Sequence, residues 1–227
     1  FAKIPCLEPS DSQEARDFTV AAFAISEQFD TPVMVRSTTR LSHSKTPVDV
    51  SPPPARPAAA PPTFEPNPAK YMVLPANARK LHPVVEERLR RLAEYGAQSP
   101  LNRIEWRDRR LGIISSSIAY QYAREVFAGA SFLKLGLSYP LPEKLIRDFA
   151  AQVDRLLVVE ELDPFFEEQI RAWGIAVSGK EFFPITGELN LAVVRAGARR
   201  LAVPGFTPAA PPETREPDIT VPERPPA

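Results

Sequence analysis

Continuous runs of Leu, Ile and Val alternate with amphipathic helices in the second half of this chain, and this alternation limits the folds that it can adopt. Three apolar runs predict buried strands, at 111–115, 131–137 and 155–161. Each is followed by a segment with helical periodicity: 117–127, a helix that starts at Pro142, and 164–174. Strands that are apolar on both faces and alternate with helices are typical of a parallel sheet covered on both sides. We therefore predict an α/β domain at 69–202 with a doubly wound parallel sheet.

A further helix is predicted ahead of these strands. Pro83 is suited to a first helical turn, and Gly96 is a typical helix end. Between them, apolar residues recur at helical spacing: Val85, Leu89 and Leu92.

The first 45 residues have the pattern strand, helix, strand. Ser10 and Asp11, followed by Gln13 and Glu14, predict the capping box of a helix. The apolar positions of that helix are Phe18, Ala22, Ile25 and Phe29. A second buried strand follows at 31–36. Because one helix and two strands cannot bury both faces of a sheet, we interpret 1–45 as the last part of a parallel α/β domain.

Proline separates the predicted folded parts. The chain has 27 prolines, and most of them fall in 46–68 and after Val203. Neither segment has helical or strand periodicity, so we predict extended, partly polyproline linkers at 46–68 and 203–227.

The overall composition excludes several classes of function. The formal net charge is zero, with 28 basic and 28 acidic residues, so nothing in the balance favours nucleic acid or an anionic membrane. There is neither a membrane-length apolar run nor a signal peptide, and we expect a cytoplasmic protein. The single cysteine, Cys6, excludes an internal disulfide, a cysteine-ligated cluster or a zinc site built from this chain alone. The chain opens on Phe1 in a strand-like phrase, and we expect it to be a piece of something longer.

Cations and hydroxyls lie at the end of the predicted strand 31–36 and directly after it. They include Arg36, Thr39, Arg40 and His43. Ligands of such sheets gather beyond the carboxyl ends of the strands, and guanidinium groups bind carboxylates or phosphates well. The alternative is a solvated loop whose arginines lie on the surface.

Two other polar groups follow predicted strands. Ser115, Ser116 and Ser117 precede a helix, where they favour capping by Ser116 or Ser117, or an anion site. Glu160 and Glu161 are adjacent in a strand, so their side chains point to opposite faces and do not form a catalytic pair. We interpret Asp163, Glu167 and Glu168 as negative charge at a helix start.

Complete motifs of known reaction centres are missing from the sequence. It contains no GxGxxG after a strand, no Walker loop, no HExxH, no GxSxG and no Gly-Asp-Gly with a downstream asparagine. The residues alone predict the frame of an α/β enzyme without a whole active site.

Several longer phrases resemble the alpha subunit of indolepyruvate:ferredoxin oxidoreductase, a family of thiamine-dependent enzymes. They are EPSDSQEARDF (8–18), FDTPVMVRSTTRLSHSK (29–45), YMVLPANARKLHPVVEERLRRLAEY (71–95), RLGIISSSIAYQYARE (110–125), LKLGLSYPLPEKLI (133–146) and DRLLVVEELDPFFEEQIRAWGI (154–175). The resemblance covers nearly all of the chain outside the proline-rich linker.

The resemblance implies a fold and an activity. Residues 1–45 would end a thiamine pyrimidine-binding domain, 69–202 would be a transketolase C-terminal-like domain, and 203–227 would lead to a pyrophosphate-binding domain. The whole enzyme would oxidise indolepyruvate and other arylpyruvates to aryl-acetyl-CoA, with CoA as co-substrate, ferredoxin as acceptor and a beta subunit as partner. The TTRLSHSK phrase would place Arg40, with Thr39 and His43, at the thiamine or substrate pocket.

The resemblance also implies that this polypeptide is incomplete as an enzyme. Thiamine diphosphate, magnesium and 4Fe-4S clusters would be bound through residues before Phe1 and after Ala227. We therefore expect the chain alone to bind none of them and to be inactive. Two alternatives stay open: a pyruvate or 2-oxoglutarate relative, and a non-catalytic α/β interaction module.

Overall fold

The computed structural model describes residues 2–50, 63–203 and 207–210. In this part of the chain the strands are β1 (Cys6–Leu7), β2 (Met34–Val35), β3 (Arg103–Glu105), β4 (Asp108–Ser116), β5 (Ala130–Leu135), β6 (Leu137–Tyr139) and β7 (Leu156–Val159). The helices are α1 (Ser12–Phe29), α2 (Thr39–His43), α3 (Pro68–Tyr71), α4 (Pro75–Gln98), α5 (Ser117–Val126), α6 (Glu143–Ala150), α7 (Phe165–Ala172) and α8 (Leu191–Leu201).

The main sheet has the strand order β3-β5-β4-β7. Its three apolar strands are parallel, with β4 in the middle. The predicted parallel sheet is thus confirmed for these strands. Strand β3, which the apolar pattern does not predict, adds an antiparallel edge to β5.

Helices cover both faces of this sheet, as predicted. Alternate residues of a strand point to opposite faces, so Ile113 and Ile114 belong to different cores. The core that contains Ile113 is closed by α5 and α8, and the core that contains Ile114 is closed by α6 and α7. The doubly wound α/β class is therefore confirmed.

Helix α4 is longer than the sequence predicts, and both predicted boundaries are wrong. It begins at Pro75, which takes the favourable first position, so Pro83 lies inside the helix on an exposed side. Gly96 lies within the helix instead of ending it. A Cβ there would approach the Leu137 side chain to 3.3 Å, so this glycine permits close packing against β6.

A second, small sheet joins the two predicted folded parts. Its order is β2-β1-β6, with β1 parallel to β2 and antiparallel to β6. Helix α1 packs with its predicted apolar face, Phe18, Ala22, Ile25 and Phe29, against Leu7, Leu92 and Leu137. Residues 1–45 therefore bury their apolar side chains partly against β6 and α4, which belong to the second predicted part of the chain.

The proline-rich segments are only partly described. Residues 46–50 and 63–67 have neither helix nor strand, and neither do 207–210. Residues 51–62 and most of the predicted linker 203–227 lie outside the described residues. Within the described ranges, no helix is long and apolar enough to cross a membrane.

Candidate functional site

A crevice lies at the carboxyl ends of β4 and β7. The chain passes from β4 to β5 on one side and later to β7 on the other, so the winding of the sheet reverses at β4. Such reversal points are where α/β sheets bind ligands. A cavity of about 240 Å³ is present there, and its lining residues are Glu8, Arg36, Thr38, Ser116, Ser117, Ile118, Ala119, Glu160, Glu161, Leu162, Asp163, Phe165 and Phe166. We call it the switch-point cavity.

Three consecutive serines form the turn from β4 into α5, and each is used differently. The Ser115 hydroxyl donates to the Val159 carbonyl at 2.6 Å. Ser116 is the N-cap residue of α5, as predicted, but its hydroxyl donates to the Glu8 carboxylate and makes no cap hydrogen bond to the helix. Ser117 has a left-handed backbone with φ of 49°. Its buried Oγ has no hydrogen-bond partner among the described residues.

Among the predicted pocket residues Arg36, Thr39, Arg40 and His43, Arg36 is the one that lines the switch-point cavity. It follows β2, and its Nη1 donates to Glu8 Oε1 at 2.7 Å. The Glu8 carboxylate raises the pKa of the Arg36 guanidinium. Sequence reasoning missed Glu8, which is buried at the end of β1. The signal was available, because a carboxylate directly after a buried strand falls at the ligand-binding edge of a sheet.

The other predicted site residues lie on α2, away from the cavity lining. Thr39, Arg40 and His43 are exposed. Arg40 forms an ion pair with Glu188, with Nη2 to Oε2 at 2.8 Å, and both side chains are largely accessible. Thr38, which precedes them, lines the cavity and accepts a hydrogen bond from the Leu41 N–H at 3.4 Å.

Glu160 caps helix α7 through its side chain. It is 8% exposed, and its two oxygens accept the N–H groups of Phe166 at 2.8 Å and Glu167 at 3.1 Å. Burial raises the pKa of Glu160 to about 7, although these hydrogen bonds favour the ionised form. Lys180 lies beside it and donates from Nζ to the Glu160 carbonyl at 2.6 Å.

Strand β7 ends at Val159, so Glu160 and Glu161 lie beyond it, and both line the switch-point cavity; the predicted placement on opposite faces of a strand is wrong. Their carboxylates nevertheless bind different groups. Glu161 accepts the N–H of Leu189 at 2.8 Å, whereas Glu160 bonds to the start of α7. The predicted acidic helix start is also present, since Glu167 and Glu168 lie in the first turn of α7.

The lining of the switch-point cavity does not suit a diphosphate with magnesium. It has four carboxylates and one guanidinium, and that guanidinium is paired with Glu8. A diphosphate would therefore meet an excess of negative charge. Nor do the described residues contain any group of three or more His, Cys, Asp or Glu side chains placed to hold a metal ion.

The fold is similar to that of a solved 2-oxoglutarate:ferredoxin oxidoreductase from Magnetococcus marinus. The TM-score is 0.60 at 16% identity, over 86% of this chain and 42% of that chain. That structure has 2-oxoglutarate, coenzyme A and succinyl-CoA bound. The fold is thus one found in the 2-oxoacid:ferredoxin oxidoreductases.

Sequence comparison gives a more specific relationship. The indolepyruvate oxidoreductase subunit IorA of Archaeoglobus fulgidus is 38% identical over 86% of this chain and 32% of its own length. The IorA subunit of Methanothermobacter thermautotrophicus is 34% identical over 100% of this chain and 38% of its own length. This chain spans about a third of the length of these curated relatives. No protein-family model matches it.

The resemblance to the alpha subunit of indolepyruvate:ferredoxin oxidoreductase is therefore confirmed. Over most of its length, the chain is homologous to a segment of IorA subunits.

Proposed function

We propose that this chain is a segment of the alpha subunit of an enzyme that oxidatively decarboxylates indolepyruvate and other arylpyruvates. The products are aryl-acetyl-CoA and CO2, and ferredoxin accepts the electrons. The observation that carries this proposal is the identity of 34 to 38% to IorA subunits over most of the chain. The parallel sheet with helices on both faces and the fold match to an oxoacid:ferredoxin oxidoreductase support it.

In this proposal the chain is a framework for an active site completed elsewhere. Residues 1–45 end the pyrimidine-binding domain and 69–202 form the transketolase C-terminal-like domain. Thiamine diphosphate, magnesium and the 4Fe-4S clusters bind to other parts of the longer subunit, which is consistent with the acidic lining of the switch-point cavity. The longer subunit pairs with a beta subunit and acts on CoA and arylpyruvate.

The test is turnover by the longer protein encoded around this segment, produced together with its beta subunit. Reduction of ferredoxin is followed with indolepyruvate, pyruvate or 2-oxoglutarate, each with CoA and thiamine diphosphate. We expect the highest kcat/KM with indolepyruvate. Preference for 2-oxoglutarate or pyruvate would support the alternative relatives, and no turnover of any substrate would support a non-catalytic module. The 227-residue chain alone should be inactive and should show no thiamine diphosphate binding by calorimetry.

We further propose that Arg40, with Thr39, His43 and Arg36, contributes to the substrate or thiamine pocket of that longer protein. The exposed position of Arg40 on α2 leaves its guanidinium accessible to other parts of the subunit. Arg40→Ala in the complete complex is expected to raise the KM for arylpyruvate or lower kcat at least tenfold, because an anion-binding guanidinium is lost.

A matched control separates this role from the ion pair. Glu188→Gln removes the charged partner of Arg40 but keeps the guanidinium. If Arg40 acts on substrate, only the arginine variant changes the kinetics. Equal effects of both variants would mean that the pair holds α2 in place, and unchanged kinetics for Arg40→Ala would remove it from the site.

A further inference from the structure

Three bonded side chains lie together in the lining of the switch-point cavity: Arg36, Glu8 and Ser116. Arg36 Nη1 donates to Glu8 Oε1 at 2.7 Å, and the Ser116 hydroxyl donates to Glu8 Oε2. Glu8 and Ser116 are buried, whereas the Arg36 side chain is 49% exposed. The buried carboxylate therefore has a partner on each oxygen and holds a guanidinium that is still half open to solvent.

Contacts from beyond the small sheet hold Glu8, although Glu8 itself directly follows β1 of that sheet. Its N–H donates at 2.7 Å to the carbonyl of Gly136, which directly follows β5 of the main sheet. Its carboxylate accepts from Ser116, the last residue of β4. Arg36 directly follows β2 of the small sheet. The main sheet therefore fixes the carboxylate to which an arginine of the small sheet is bonded.

Arg36 is the one cation among the residues that line the cavity, and it has N–H groups available for a ligand. Its Nη1 is bonded to Glu8, whereas its Nε and Nη2 have no hydrogen-bond partner among the described residues. Glu160 and Glu161 are bonded to backbone N–H groups. Together with the exposed Asp163, these carboxylates give the lining an excess of negative charge. An anion is therefore attracted only where the guanidinium of Arg36 faces it.

We propose that Glu8, fixed by Ser116, is the positioning residue for Arg36 in the substrate or thiamine pocket. This inference rests on the proposed function, in which Arg36 contacts the ligand, whereas Glu8 and Ser116 act only through Arg36. An arginine side chain that is already ordered loses less conformational freedom when it binds. The carboxylate of Glu8 therefore strengthens binding by Arg36, although its own charge repels an anion.

NMR of the arginine side chains in the isotope-labelled 227-residue chain measures the order of the guanidinium directly. The Arg36 signal is assigned by its absence in Arg36→Lys. We expect a rigid Nε–H group in the wild type and faster motion in Glu8→Gln and in Ser116→Ala. Ser115→Ala is the matched control and should leave the signal unchanged, because its hydroxyl lies in the same turn but bonds to Val159. Equal motion in the wild type, Glu8→Gln and Ser116→Ala would overturn the proposal.

Kinetics of the complete complex with its beta subunit test the consequence for binding. Arg36→Ala identifies the ligand, because it should raise the KM for either arylpyruvate or thiamine diphosphate. Both are anions, so the loss of negative charge in Glu8→Gln would by itself lower that KM. Positioning predicts the opposite sign, a rise of about two- to tenfold, because an unheld arginine must be ordered on binding. Ser116→Ala changes no charge and should raise the same constant.

A double variant separates positioning from a purely structural role. Because Glu8 acts through Arg36, Glu8→Gln should cause no further rise in KM when Arg36 is already alanine. A further rise in that background, a lower or unchanged KM for Glu8→Gln alone, or an unchanged KM for Arg36→Ala would contradict the proposal. If the wild-type complex turns over no 2-oxoacid, the proposed function fails, and the motion of Arg36 in the 227-residue chain still decides whether Glu8 holds it.

Discussion

At the scale of one residue, the carboxylate of Glu160 caps helix α7, and its burial there disfavours its own ionised form. The side chain holds the start of α7 with two hydrogen bonds, and burial still raises its pKa to about 7. Lys180 and Glu167 act on it in opposite directions, the first favouring ionisation and the second opposing it. Near neutral pH the group therefore titrates in the folded protein, whereas in the unfolded chain it is already ionised.

This difference predicts a pH-dependent stability. Between about pH 4.5 and 7 the folded protein holds the Glu160 proton and the unfolded chain has lost it, so the contribution of this residue to stability falls as the pH rises. Glu160→Gln cannot titrate. Relative to wild type, its free energy of unfolding should improve by about 2 to 3 kcal/mol from pH 4.5 to 8.

Urea unfolding of both proteins across this pH range provides the measurement. Only the change with pH is diagnostic, because Gln also loses one of the two hydrogen bonds to α7 at every pH. A difference between the two proteins that stays constant from pH 4.5 to 8 would contradict a raised pKa for Glu160.

At the scale of elements, α1 and β5 are joined by a buried ion pair. Lys134 is fully buried in β5, and its Nζ donates to the Glu14 carboxylate of α1. Glu14 also accepts the N–H and the hydroxyl of Ser10, each at 2.8 Å, and Arg103 lies 3.1 Å away. Burial opposes ionisation of Glu14, but Lys134 and Ser10 more than offset it and lower its pKa.

Lys134→Met should destabilise the protein by about 3 kcal/mol, because Glu14 is left buried with too little compensating charge. Thermal or urea unfolding measures the loss. In the double variant with Glu14→Gln, most of the stability should return, since no unpaired charge remains. A single variant as stable as wild type would show that the pair contributes nothing to the contact of α1 with β5.

Most elements could be predicted from the sequence, and the exceptions have physical reasons. The apolar strands and the buried face of α1 have strong periodicity. Strand β3 is short and carries Arg103 and Glu105, so it lacks an apolar run. The run 131–137 was predicted as one strand, but it divides at Gly136 into β5 and β6, which join different sheets.

The candidate site could be predicted only in part. Arg36 could be predicted, because it lies at the carboxyl end of a strand. The rule that ligands of parallel sheets bind beyond those ends needs only the order of the elements along the chain. The Ser116 to Glu8 contact joins residues 108 positions apart, and no local pattern encodes it. Lys134 did carry a usable signal, since a lysine within a buried apolar run requires a charged partner.

At the scale of the whole molecule, Gly136 lies where the two sheets and α1 meet. Its carbonyl accepts the Glu8 N–H at 2.7 Å, and its own N–H donates to the Asn102 side chain at 2.8 Å. A Cβ at this position would lie 2.2 Å from the Leu101 carbonyl oxygen and 2.7 Å from the Phe18 ring. Backbone on one side and a core aromatic on the other leave no room for a side chain.

Gly136→Ala should therefore lower the free energy of unfolding by about 3 kcal/mol, at the upper end for an overpacked core. Chemical denaturation gives the value. Gly96→Ala is the matched control, since its Cβ would come no closer than 3.3 Å to any atom, the nearest being the end of the Leu137 side chain, and alanine favours the helix. That control should stay within about 1 kcal/mol of wild type, and a similarly small effect at Gly136 would argue against a tight junction.

The pairing of β1 with β6 has a consequence for the connection between residues 45 and 69. The hydrogen bonds between β1 and β6 and the packing of α1 already hold the two parts of the chain together. Their relative position therefore depends little on the covalent connection. Closure entropy depends weakly on the length of a connection, at about 0.6 kcal/mol for each doubling. A change in the length of this connection should therefore alter stability little, whereas a substitution that breaks the pairing of β1 with β6 acts on the fold directly.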